Sequence, residues 1–281
     1  MKRASNRISA ATLLGLVLAN ASSGAQLKTE TVKGWEQYVE EKNVVTKPSP
    51  DNPFLLTGGD RDFWSELRSG KILVAPAGPN IPRRVPSGLV HDWIGTAFIP
   101  NATITQVLAA VRDYDRYKNI YRPGVVDSKL TETTEQEDHF SMLLMNQAMF
   151  LKKAVEGQYH ASYFRVDDQH WYSVAESTRV QEIVGYGSAN QQLLPEGEGT
   201  GLIWRVRSIT RYEQREGGVF IQLDAMVLSR DVPCALRWMV DPIVRRVSRE
   251  SVQLSLQQTR DAVITNLAHA ESASLQRTRT E

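Results

Sequence analysis

Two runs late in the chain constrain its fold most. LIWRVRSITRY carries Trp204, Val206, Ser208, Thr210 and Tyr212 on one side and Arg205, Arg207 and Arg211 on the other. After the turn REGG, VFIQLDAMV carries Val219, Ile221, Leu223, Ala225 and Val227 on one side. Phe220, Gln222, Asp224 and Met226 fall on the other. A period of two is the mark of a strand with one covered face, and it predicts that the arginines face water. The same punctuation recurs upstream. GVVDSKLTET passes through TEQED into HFSMLLMNQ, and KAVEGQYHASYFRV passes through DDQ into HWYSVAESTRVQEI. With LVHDWIGTAFI at 89–99, these runs predict an antiparallel meander of about six or seven strands.

Helices flank the meander. Thr103 and Gln106 form a T-x-x-Q capping box before the apolar stripe Ile104, Val107, Leu108 and Val111. The stripe leads into Tyr114, Tyr117 and Tyr121, whose spacing of three and four places them on one helix face. PCALRWMVDPIVRRV predicts a helix that Pro242 bends, and Ser248 is placed to cap a second segment with Val252, Leu256, Thr259, Val263 and Leu267 on one side. Before the meander, KTETVKGWEQYVEEKN and DRDFWSELRSG read as amphipathic helices joined by the Pro-rich KPSPDNP.

The first 25 residues have the form of an export signal. MKRASNR is basic, ISAATLLGLVLA is an apolar run, and NASSGA ends in small residues that predict cleavage after Ala25. The apolar run falls well short of the roughly 20 residues that span a bilayer. Loss of Lys2, Arg3 and Arg7 would take the net charge from +1 to −2, and a chain of that charge is a poor nucleic-acid binder. The lone Cys234 cannot form an internal disulfide, and its neighbours RDVPCALRW offer no base, so it reads as a buried small apolar residue.

Motifs of catalysis are missing. No two of His91, His139, His160, His170 and His269 have metal-ligand spacing, and they read as surface or structural residues; His160 and His170 could meet across a turn. There is no G-x-S-x-G elbow, and the glycines of GYGSANQQLLPEGEGTG lack a phosphate-loop lysine. No cofactor or metal is expected. Asp113 and Asp115 diverge on a helix and do not pair.

The order strand, short helices, antiparallel strands and long last helix is carried by GTAFIPNATITQVLAAVRDYDRYKNIYRPGVVDSKL, ESTRVQEI, GTGLIWRV and LSRDVPCALRWMVDPIV. In this the chain resembles the START-like (SRPBCC) superfamily over residues 88 to 268. The resemblance implies an α+β helix-grip fold: a curved antiparallel sheet around the C-terminal helix, with a cavity between them that holds an apolar small molecule. Residues 26–87 would be a helical extension on the sheet or across the cavity mouth, and 269–281 a polar tail. On this reading the wall comprises Tyr114, Tyr117, Tyr121, Trp204, Val206, Tyr212, Leu223, Met239 and Leu256. Arg179, which alternates with Ser173, Ala175 and Ser177, would meet an acidic head group. The expected function is an exported periplasmic or secreted carrier of a lipid, sterol or isoprenoid. A cyclase or aromatase of the same fold, and an envelope interaction module using an exposed patch at Trp35 and Trp64, are the alternatives.

Overall fold

The structure, a computed structural model, describes residues 24–46, 54–56, 61–148, 151–215 and 217–278. The export signal up to Ser23 and the Pro-rich connector 47–53 lie outside the described residues. One antiparallel sheet dominates. Its long strands are β4 (Gly88–Pro100), β5 (Val125–Thr133), β6 (Glu137–Ala148), β7 (Leu151–Arg165), β8 (His170–Val184), β11 (Arg205–Arg215) and β12 (Gly218–Arg230). They lie in the order β4-β12-β11-β8-β7-β6-β5. Short strands β2 (Leu73–Pro76) and β3 (Arg83–Val85) pair with β4, and β9 (Gln192–Leu193) pairs with β8. β1 (Ala25–Gln26) pairs with β10 (Glu198–Gly199) apart from the main sheet.

Each face of the sheet has its own cover. Helix α5 (Arg237–Thr278) crosses the inner face. It sits closest at Gly95, where a Cβ would come within 2.6 Å of Leu256 Cδ1 and Val252 Cγ1. Only a residue without a side chain lets helix and strand approach so closely. Helix α3 (Ile104–Val111) starts at the Thr103–Gln106 capping box, whose two reciprocal bonds are both formed. It packs Ile104 and Val107 into the same core as Val252, Leu256 and Val263.

The outer face is covered by the N-terminal extension. Helix α1 (Thr29–Thr46) sets Trp35 and Tyr38 in a cluster with Val90, Ile209, Met226 and Leu228. Helix α2 (Arg61–Arg68) and residues 54–56 place Leu55 and Leu67 against Phe98 and Phe220. Leu56 N donates to Gln222 Oε1 at 2.7 Å, and Gln222 Nε2 donates to Thr96 Oγ1 at 3.0 Å.

Several sequence expectations need correction. Arg211 does not face water: it is 1% exposed, beneath the extension, while Arg205 and Arg207 are half-buried. Trp35 is buried and Trp64 is half-buried with its ring edge-on to Phe220, so they form no exposed aromatic patch. Cys234 is exposed rather than buried. His160 lies opposite Glu176 and stacks on His139, away from His170, which bonds Asp167. Pro242 does not divide the last helix, and Ser248 sits within it rather than capping a second segment.

Candidate functional site

The tyrosines of the opening helical stripe do not share one helix. α3 ends at Val111, a 3-10 turn spans Tyr114–Arg116, and α4 (Tyr117–Ile120) follows. Arg112 marks the break. Its guanidinium grips both carboxylate oxygens of Asp138 at 2.8 and 2.9 Å and also donates to the carbonyls of Thr134 and Glu135. That bidentate clamp draws the chain toward the β5–β6 turn. The rings still meet: Tyr114 lies tilted against Tyr117 at 5.0 Å, and Tyr117 lies edge-on to Tyr121 at 4.7 Å.

These rings close one end of the inner face. Tyr114 stacks on Phe140 at 4.0 Å and bonds the Tyr163 hydroxyl at 2.6 Å. Tyr117 donates to the Val111 carbonyl at 2.5 Å, and Tyr121 bonds Thr259 Oγ1 at 2.9 Å. Burial raises the pKa of all three. Tyr212 lies under α5 at 3.2 Å from Ser173 Oγ, and burial pushes its hydroxyl up to about 12. All of these phenols are neutral donors at ordinary pH. Tyr159 is 4% exposed, and its hydroxyl has no partner among the described residues.

Next to this aromatic end the inner face is open. Along β12 the outward residues Phe220, Gln222, Asp224, Met226 and Leu228 are buried, whereas the inward Leu223, Ala225 and Val227 are partly exposed. On β11 the inward Val206, Ser208 and Thr210 are likewise partly exposed, while Ile209 and Arg211 behind them are buried. The centre of the sheet is thus sealed from outside and accessible from within. The register explains the space. Ala161, Ala175, Ser208 and Ala225 stand side by side on adjacent strands, a lane of small side chains that ends at Trp93. In the first half of α5, Met239, Val240 and Ile243 are half-buried and Trp238 is 79% exposed.

Two clefts flank the first half of α5, and one of them includes Trp93, where the lane ends. One, of about 460 Å³, is lined by Trp93, Arg245, Arg246, Arg249, Glu250 and Gln253. The other, of about 520 Å³, is lined by Pro79, Asn80, Pro82, Arg83, Arg84, Asp241 and Arg245. Both are open surface clefts with mixed polar and apolar linings. On the same face of β4, two residues before Trp93, His91 Nε2 lies 2.9 Å from Ser229 Oγ. Burial holds the His91 imidazole down to about 4; Asp241 pulls it up and Arg245 pulls it down.

The expected wall residues divide. Val206 and Leu223 are partly exposed on the inner face, Met239 is half-buried on α5, and Leu256 of α5 packs with Tyr212 of β11 in the core. Trp204 belongs to the outer cluster with Trp35 and Tyr38. Arg179 is exposed and points away from the inner face. A bulge causes this: Tyr159 pairs with Ser177 but Gln158 with Arg179, so Thr178 is the extra residue and alternation reverses after it. Sequence reading missed His91, Trp93, Arg245 and Arg249. The period of two in HDWIG placed His91 and Trp93 together, but nothing local showed that a helix more than 140 residues away would face them.

Among the described residues, no three His, Cys, Asp or Glu side chains are grouped to hold a metal ion, and no helix is long and apolar enough to cross a membrane. No family model and no curated protein matches the chain. Solved structures do. A STAR-related lipid transfer protein from Xanthomonas axonopodis shares 17% identity over 64% of this chain and 96% of its own, with a TM-score of 0.43. Human STARD10 shares 10% over 80% and 86%, at 0.45. The di-domain aromatase/cyclase StfQ of the steffimycin pathway shares 12% over 64% and 52%, at 0.42. Long antiparallel strands with the last helix across their inner face give this α+β chain a helix-grip arrangement.

Proposed function

We propose that the protein is an exported carrier or sensor of an apolar small molecule, a lipid, sterol or isoprenoid, held between the inner face of the sheet and the first half of α5. One observation carries this reading: the inward residues at the sheet centre are accessible while the outward ones are sealed. A ligand lying on Val206, Leu223, Ala225 and Val227 would gain roughly 25 cal/mol for each Å² of apolar surface removed from water. The neutral hydroxyls of the aromatic end would orient its polar atoms, and Tyr159 has a buried hydroxyl to offer. The basic, apolar and small-residue segments of the first 25 residues support export.

The test is organic extraction of the protein purified from its native compartment, followed by mass spectrometry, beside the variant Ala225→Phe. A phenyl ring on the floor should occupy the lane and remove the co-purifying molecule without unfolding the chain. Equal recovery from wild type and variant would place the molecule elsewhere, and an extract with no apolar compound from wild type would end the proposal.

A further inference from the structure

The open end of the groove is strongly basic. Five arginines and two acids line the two clefts. Three of the arginines are engaged: Arg83 with Glu41 at 3.0 Å, Arg84 with Asp231 at 3.4 Å, and Arg246 with Glu250 at 2.7 Å. Arg245 and Arg249 form no ion pair among the described residues. They stand one turn apart on α5 and so share a face. Both line the cleft floored by Trp93, where the lane of small residues ends. Asp241, one turn before Arg245 on α5, is the one further acid, and it lines the neighbouring cleft that Arg245 also lines.

We infer that Arg245 and Arg249 bind the anionic headgroup of an amphiphile whose apolar part lies along the lane. This rests on the carrier reading above and specifies its ligand class. A guanidinium presents a planar fork matched to phosphate or carboxylate oxygens, and two forks one turn apart can share one such group. The geometry favours an amphiphile over a free anion because Trp93, an apolar residue of the cleft lining, stands opposite Ala225 in the strand register, at the end of the lane. It favours an acid over a neutral lipid because both guanidiniums are exposed and neither is held in an ion pair among the described residues, so their donors are available to an anion.

The experiment titrates delipidated full-length protein with oleoyl lysophosphatidate, oleate, monoolein and inorganic phosphate at fixed ionic strength. Both acidic lipids should bind about tenfold or more tighter than monoolein, the size expected of charged hydrogen bonds. The double variant Arg245→Gln/Arg249→Gln should lose that preference and keep its monoolein affinity. A charge-matched control, Lys28→Gln/Lys33→Gln near and on the outer helix α1, should retain it. Equal binding of monoolein and the acids, or a preference that survives in the arginine variant, overturns the headgroup inference and leaves the carrier reading standing. Phosphate binding as tight as lysophosphatidate overturns it in favour of a free anion. Failure of every lipid to bind removes the carrier reading as well.

Discussion

The Lys42 ammonium lies 3.2 Å from Asp224 Oδ2, joining helix α1 to the sealed outer face of β12. It also lies 3.0 Å from Asp92 Oδ2, which accepts a bond from the Tyr38 hydroxyl at 2.5 Å. Both carboxylates are fully buried, and the lysine side chain is 15% exposed. One cation from the extension therefore serves two acids of the sheet. Replacing Lys42 with Met removes the cation that both acids share, and leaves Arg211 near Asp224 and the Tyr38 hydroxyl on Asp92. We expect a loss of about 3 kcal/mol, the usual cost of removing one partner from a buried pair, in urea unfolding at neutral pH. A loss below about 1 kcal/mol would show that α1 contributes little through this contact.

The same cluster sets a pH dependence. Burial, and next to it the Asp92 carboxylate, push Asp224 up to about 7, against the pull of Lys42 and Arg211. A carboxyl with a raised folded pKa binds its proton more tightly when folded. Its contribution is complete below the unfolded value near 4 and is lost as pH rises toward 7. Relative to wild type, Asp224→Asn should therefore gain stability steadily from pH 4 to pH 7, read from urea midpoints. A constant difference across that window would contradict the assignment.

His91 works in the opposite sense. Its folded value near 4 lies below the unfolded value of 6.5. The unfolded chain then binds the proton more readily, so His91 contributes stability above pH 6.5 that is lost as pH falls to 4. His91→Gln should flatten the acid side of the stability profile and retain the bond to Ser229. An unchanged acid slope would show that the imidazole is not what titrates there.

Gly95 sets how low the last helix sits. Gly95→Ala would drive a methyl group against Val252 and Leu256. The expected cost is about 1–3 kcal/mol, typical of an overfilled core. Thermal unfolding measures it, and an unchanged midpoint would mean that α5 shifts freely on the sheet.

Tyr159 offers the converse test. Its buried hydroxyl is unpartnered among the described residues. Tyr159→Phe should therefore stabilise the ligand-free protein by about 1 kcal/mol, because an unmet buried donor is costly. The same variant should weaken the ligand if the hydroxyl meets it. A destabilised apo variant would show that the hydroxyl has a partner in the folded chain.

The sequence by itself determined the elements and their order. Alternation in VFIQLDAMV and in LIWRVRSITRY from Arg205 onward, and the Thr103–Gln106 box, are local patterns that form as read; the apolar stripe through Val252, Leu256 and Val263 forms too, but within one long helix rather than a segment capped at Ser248. Period and capping depend on residues three or four apart, which a sequence displays. The tertiary structure decided which face is open. Arg211 and Asp224 alternate as solvent residues should, yet they are buried because the N-terminal extension folds back over them. Arg179 left the inner face through one extra residue at Thr178, a slip that only strand pairing reveals. Ala161, Ala175, Ser208 and Ala225 are ordinary in four separate strands and become a lane only in register. Arg245 and Arg249 gain meaning only where α5 brings them to Trp93, since proximity across the chain is set by packing rather than by any local pattern.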